Sequence, residues 1–329
     1  MPAGTWIQFR YAREWVAPAI LADLADSKKR KTLRGRGVLI SYVDQTDPQR
    51  DPELLPCRMA SLVDVVPLGR TVSLQLELAD FALASDLTHF NDEVASLAGN
   101  LFPRREADGL RGSYWFEIAR DLNSIARSSD LATWEGIVQQ VATRPDFQGE
   151  HFFYTVEGLV DVGPNKPLAA ERNMFHMRPN REYDLRIYHF HPTQGDPKAL
   201  IGLETSHASL SFTTNPDVLL DSRYDLKRIR LRTMSPESRE PGVLTVRRQT
   251  QGQPEWEWEF DLPIQVRGTF WRKIGFGLLV GSFLAVSPIV GAYSNPSLSA
   301  GSRQVISLVA IITGILAGVT AAFGLRRSL

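Results

Sequence analysis

Glu255-Trp256-Glu257-Trp258-Glu259-Phe260-Asp261 puts a carboxylate at every odd position and an aromatic ring at every even one. Successive side chains of a β-strand leave opposite faces, so this spacing predicts Trp256, Trp258 and Phe260 on a core face and the acidic groups on a solvent face. The same period of two holds from about residue 150 to residue 267. Candidate strands cover residues 152–162, 172–177, 182–191, 199–206, 208–214, 224–233, 243–250 and 255–266. Gly163-Pro164, Pro179-Asn180, Gly195-Asp196-Pro197, Asn215-Pro216, Pro241-Gly242 and Gly252-Gln253-Pro254 supply the turns. Short strands without an intervening helix predict an all-β sandwich over residues 149–267, with Ile229 and Leu231 facing the aromatic strand. An immunoglobulin-like topology is the first choice, without the cysteine pair of true immunoglobulin domains.

Upstream, residues 1–148 mix two periods and predict an α+β domain. Residues 5–11 and 36–43 read as strands, and Arg58–Val66 with Thr71–Ala79 read as a hairpin about Pro67-Leu68-Gly69. Pro18 suits a first helical turn ahead of Ile20, Leu21 and Leu24. Leu87, Phe90, Val94 and Leu97 recur at helical steps and stop at Gly99. Leu131, Trp134, Ile137, Val138 and Val141 do the same behind an expected Asp130 cap.

Downstream, residues 274–293 and 305–325 contain no charged side chain. At ~1.5 Å per residue each is long enough to cross ~30 Å of hydrocarbon. Residues 268–329 are therefore expected to be a two-helix transmembrane hairpin, with Phe270, Trp271, Arg272 and Lys273 as its interfacial anchor. Arg267, Arg272, Lys273, Arg326 and Arg327 flank the spans, whereas the eleven-residue connector 294–304 holds only Arg303. That asymmetry predicts both termini in the cytoplasm, in keeping with a start that lacks a basic segment followed by an apolar one. Thirty arginines against seven lysines point to a GC-rich bacterial genome, and so to a bacterial inner membrane.

With 43 % hydrophobic and 22 % charged residues, the composition excludes a disordered, collagen-like or coiled-coil chain. The balance of 37 basic and 37 acidic groups hides a mildly acidic soluble region, because residues 268–329 carry five cations and no anion. A single cysteine, Cys57, forbids an internal disulfide.

Lys28, Lys29, Arg30, Lys31, Arg34 and Arg36 concentrate six cations in nine residues. Such a run suits the phosphates of anionic lipid or of a phosphorylated ligand. The plain alternative is a solvated loop, and nucleic acid is the less favoured partner. Gly277 with Gly281, and Gly314 with Gly318, have the four-residue spacing that lets helix backbones approach in lipid, either within the hairpin or between chains of a homo-oligomer. The loose glycine pattern from Gly275 to Gly281 is no nucleotide site, because it lies inside an apolar segment. Further small-residue surface is expected at Gly291, Ala322 and Gly324.

Pro216-Asp217 followed by Asp225-Leu226-Lys227 resembles the PD-(D/E)xK nuclease motif, in which two carboxylates hold a divalent cation and a lysine positions water. The simpler reading is a turn and a strand start. His189 and His191 share a strand face with Tyr183, Leu185 and Ile187, but lack an obvious third metal ligand, since His151, His176 and His207 lie elsewhere. Asp44, Asp47, Asp51 and Glu53 form an acidic loop without calcium-loop spacing. No protease, P-loop or α/β-hydrolase signature occurs, so no catalytic residue, metal site or cofactor is assigned. Neither span holds an ionisable group, which disfavours a transporter. The expectation is a non-enzymatic, membrane-anchored cytoplasmic sensor, adaptor or effector. Its soluble domains would recognise a cytoplasmic protein or anionic ligand, and its hairpin would anchor or self-associate. In layout it resembles bacterial two-transmembrane defence effectors that perturb membranes. The alternative is a membrane-tethered metal-dependent nuclease or hydrolase.

Overall fold

The N-terminal strands condense into one antiparallel sheet around a long ribbon. The structure, a computed structural model, describes residues 1–13, 16, 18–44, 53–96, 112–117, 122–144, 153–190, 199–222, 224–234, 241–250, 256, 258–267 and 270–323. The sheet comprises β1 (Trp6–Ala12), β2 (Gly37–Asp44), β3 (Glu53–Leu68), β4 (Thr71–Ala84), β5 (Gly112–Glu117) and β6 (Ile125–Ser128). Its order is β1-β4-β3-β2-β5, and β6 also pairs with β4. The ribbon β3–β4 exceeds the hairpin expected from periodicity because Pro56 is accommodated: the register shifts between Ile40 and Ser41, so Cys57 becomes a bulge beside it. Gly69, at φ +59°, closes the tight turn between the two strands.

Helices α1 (Pro18–Ala25), α2 (Ser27–Thr32), α3 (Leu87–Ser96) and α4 (Leu131–Ala142) accompany this sheet. Leu39, Leu76 and Phe90 are fully buried in its core. Leu97 and Gly99, the expected end of α3, lie outside the described residues. Asp130 occupies the N-cap of α4 in extended backbone, but its side chain makes no capping bond. Instead its backbone N–H donates to the Ser128 hydroxyl at 3.0 Å. Helix α4 is amphipathic twice over. Ile137 and Val141 pack on Leu55, while Trp134 and Val138 pack on Phe190 of the following sheet region.

That region is a β-sandwich. One sheet holds β7 (Phe153–Asp161), β8 (Lys166–Pro167), β11 (Glu182–Phe190), β13 (Leu210–Phe212) and β15 (Tyr224–Thr233), in the order β13-β15-β11-β7-β8. The other holds β9 (Ala170–Glu171), β10 (Met174–Met177), β12 (Ala199–Thr205), β14 (Asp217–Leu220), β16 (Gly242–Thr250) and β17 (Trp258–Val266), in the order β14-β12-β16-β17-β10-β9. Tyr183, Leu185, Ile187, Ile229 and Leu231 of the first sheet are buried, as are Phe175, Ile201, Leu244, Val246, Leu262 and Ile264 of the second. The short strands β8, β9 and β14 escape a periodicity argument because two to four residues carry no measurable period.

The aromatic strand needs one correction. Phe260 is in the core and the side chain of Trp258 lies outside the described residues, but Trp256 is 39 % exposed and precedes the first residue of β17. Its indole lies across Gly202, 2.5 Å from where a Cβ would stand. Gly202 alternates with the buried Ile201 and Leu203, so Trp256 covers the outer face. Once the chain leaves the ladder, alternation no longer dictates direction.

Residues Met1–Gln265 form one compact unit and Val266–Leu329 a second. The second is a hairpin of α5 (Phe270–Ser294) and α6 (Ala300–Phe323). Both helices begin before the charge-free segments, and the connector shrinks to residues 295–299. Asn295 ties it: its side-chain oxygen accepts from the Ser297 N–H at 3.1 Å, and its carbonyl accepts from Arg303 at 2.9 Å. Both helices are long and apolar enough to cross a membrane.

Candidate functional site

Lys28, Lys29, Arg30 and Lys31 of the basic run lie on the short helix α2, and Arg34 and Arg36 follow it. Asp26 caps α2, its carboxylate accepting from the Lys28 N–H at 2.8 Å, and Leu33 is buried just beyond the helix. Lys29, Arg30 and Lys31 occupy the last turn, where positive charge complements the helix dipole. Three of the six cations are already engaged. Lys29 pairs with Asp23 at 2.9 Å, Arg34 donates twice to Asp64 at 3.0 and 3.2 Å, and Arg36 donates to the Thr32 carbonyl at 3.3 Å. The side chains of Lys28, Arg30 and Lys31 make no hydrogen bond or ion pair with described residues, which leaves a surface of three charges. Beneath it, Ile20, Leu24, Leu33, Val38 and Leu62 line an apolar void with Arg36 at its edge. The void admits only about 20 Å³, about one water, so the basic surface has no ligand cavity under it.

In the hairpin the structure brings all four marked glycines together. A Cβ on Gly281 would lie 2.6 Å from the Gly314 carbonyl oxygen, and one on Gly314 would lie 2.6 Å from that of Gly281. One on Gly318 would meet the Gly277 oxygen at the same distance. The two backbones touch along this seam, which consumes the small-residue face within one chain. Gly291 has nothing within 4 Å, while the side chain of Ala322 and all of Gly324 lie outside the described residues. Farther from the seam the helices part over an open apolar groove of about 300 Å³ between Leu284, Pro288, Val305 and Val309.

The nuclease-like residues are separated by topology. Asp217 begins β14 in the six-stranded sheet, whereas Asp225 and Lys227 lie on β15 in the five-stranded one. Lys227 is paired with Asp225 at 2.6 Å. His189 is 1 % exposed, in the core between Tyr154 and Asp225 of the neighbouring strands, and His191 lies outside the described residues. His176 is on β10, and His207 accepts from the Ser209 N–H at 3.1 Å. Within the acidic loop, Arg144 binds Glu53 at 2.7 Å and Asp44 at 3.4 Å, and Asp47 and Asp51 fall outside the described residues. Among the described residues, no group of three or more His, Cys, Asp or Glu side chains is gathered as for a metal. Cys57 donates to the Leu55 carbonyl, and desolvation beside Ile137 and Val141 pushes its thiol up to about 11. That is the opposite of an activated nucleophile.

No family model matches the sequence, and no curated protein matches it. Among solved structures, an MSP family member of C. elegans aligns at 6 % identity over 29 % of this chain and 93 % of its own, with a TM-score of 0.22. The ASH/PapD-like domain of human CEP192 aligns at 10 % identity over 39 % of this chain and 94 % of its own, with a TM-score of 0.24. The YadV chaperone aligns at 8 % identity over 36 % of this chain and 52 % of its own, with a TM-score of 0.23. At such scores the likenesses carry no functional argument, and the sandwich rests on the chain's own strand pairing.

Proposed function

We propose that the chain is a non-enzymatic, membrane-anchored recognition protein. The hairpin crosses the bacterial inner membrane with both termini cytoplasmic. The α+β region and the sandwich, read as immunoglobulin-like, recognise a protein or an anionic ligand. The glycine seam is the observation that carries this reading. Two helices whose charge-free stretches are sealed backbone to backbone, with Leu279, Phe283, Leu308 and Ile315 turned outward, form a unit suited to hydrocarbon and unsuited to water. Because the seam is satisfied within one chain, anchoring needs no second copy. Nothing in the placement of Asp217, Asp225 and Lys227 favours the metal-hydrolase alternative.

Cysteine accessibility tests the reading. In intact cells Ser299→Cys, in the connector, should react with an impermeant thiol reagent, and Ser222→Cys, on the soluble unit, should react only after permeabilisation. Cys57 is a poor topology reporter because its thiol is desolvated on either side of a membrane. Labelling of Ser222→Cys in intact cells, or recovery of the protein in the soluble fraction, would overturn the proposal.

A further inference from the structure

On β11 the buried Tyr183, Leu185, Ile187 and His189 face inward, so Glu182, Asp184, Arg186 and Tyr188 face outward. On β15 the buried Ile229, Leu231 and Thr233 leave Leu226, Arg228, Arg230 and Arg232 on that same outer face. The register sets Tyr188 opposite Leu226, Arg186 opposite Arg228, Asp184 opposite Arg230 and Glu182 opposite Arg232. Arg230 is neutralised, donating to both Asp184 oxygens at 2.8 and 3.2 Å. The row next to it is different. Arg186 and Arg228 stand directly opposite, where Cβ atoms are ~4.5–5.5 Å apart and like charges repel.

Among the described residues neither arginine is paired with a counter-charge. Arg186 is held by a neutral partner, the Asn165 side-chain oxygen at 2.7 Å, and Asn165 is fixed in a turn at φ +49°. The Nε of Arg186 is buried without an acceptor among the described residues. Arg228 is exposed and makes no hydrogen bond or ion pair with described residues. The nearby carboxylates do not compensate: Glu135 accepts from the Tyr188 hydroxyl, and Glu157 pairs with neither guanidinium.

We propose that Arg186 and Arg228 form a binding site for a phosphoryl group on the outer face of the five-stranded sheet. One carboxylate is satisfied by a single guanidinium fork. An open Arg228 fork opposite the Arg186 charge calls for an anion with more oxygens and more charge than a carboxylate, as a phosphate monoester has. Leu226 and Tyr224, both exposed, continue the same face as an apolar ledge on which an apolar group beside the phosphate can rest. This site does not depend on the membrane reading.

The test is titration of the full chain in detergent, at low salt, with inorganic pyrophosphate and with short-chain dioctanoyl phosphatidic acid. Binding of either probe that weakens about tenfold in Arg228→Gln, and is unchanged in Arg232→Gln, supports the site. Tighter binding of the lipid probe assigns a lipid headgroup, and equal or tighter binding of pyrophosphate assigns a soluble phosphate. Arg228→Lys should retain part of the affinity, since it keeps the charge and loses the fork. Arg228 is exposed, so its variants stay folded even where Arg186→Gln does not. Absence of binding by both probes, or binding indifferent to Arg228→Gln, would overturn the proposal.

Discussion

The sandwich and the hairpin join their halves by opposite means. Between the sheets, space is filled: Tyr183, Phe175, Leu185 and Met177 are among the largest fully buried side chains. Along the hairpin seam, space is emptied, and backbone meets backbone at Gly281 and Gly314. The difference follows from the solvent each is suited to. In water, burying large apolar groups drives association. In lipid no such drive exists, and close backbone packing must supply the contact.

The filled core is the more sensitive of the two to a lost side chain. Phe260→Ala should cost ~3–5 kcal/mol by opening a cavity, whereas Trp256→Ala, on the outer face over Gly202, should cost no more than about 1–2 kcal/mol. Thermal unfolding of the full chain in detergent measures both. Equal losses would return Trp256 to the core.

At the seam the sign inverts, because adding side chains is what harms. Gly314→Leu with Gly318→Leu should cost ~1–3 kcal/mol through overpacking and push the helices apart, while Gly291→Leu should be neutral. Spin labels at Leu279 and Ile315 report the separation. An unchanged distance with a lost oligomer would reassign the glycines to a contact between chains.

A smaller effect tests how far desolvation reaches in the N-terminal unit. The Cys57 thiol is raised to about 11 when folded, against ~8.5 unfolded. For a raised acid, stability is fully present below the unfolded value and is lost as pH rises toward the folded one. The chain should therefore lose about 2 kcal/mol or less between pH 8 and pH 10, and Cys57→Ala should abolish that loss. Equal pH dependence in the two proteins would show that the thiol is solvated.

The smallest change in stability belongs to the surface. Reversing Lys28, Arg30 and Lys31 to Glu should alter stability by about 1 kcal/mol or less, mostly through the helix dipole. The same variant, held in zwitterionic nanodiscs, should lose low-salt binding to anionic vesicles. Retained binding would return α2 to a plain solvated turn.

Legibility in the sequence followed the range of the interaction concerned. The parity of β17 was readable as far as Phe260, and failed at Trp256, where the ladder ends. Pro18 marks the start of α1 by local sterics alone. Asp130 was correctly placed at a helix start, yet its capping bond was not readable, because the Ser128 hydroxyl engages its backbone instead. The six cations of residues 28–36 were obvious as a cluster. That Arg34 is spent on Asp64, thirty residues away, was not.

Residue order alone determined two things about this chain. It set a period of two across residues 150–267, and it set two charge-free stretches long enough for hydrocarbon, because strand alternation and helix length depend only on neighbours along the backbone. Tertiary structure decided the rest. The bulge at Cys57 is a product of pairing with β2. Gly281 meets Gly314 because the connector closes at Asn295. Arg186 faces Arg228, 42 positions later, through the register of two strands, where a slip of one position would send a side chain to the opposite face.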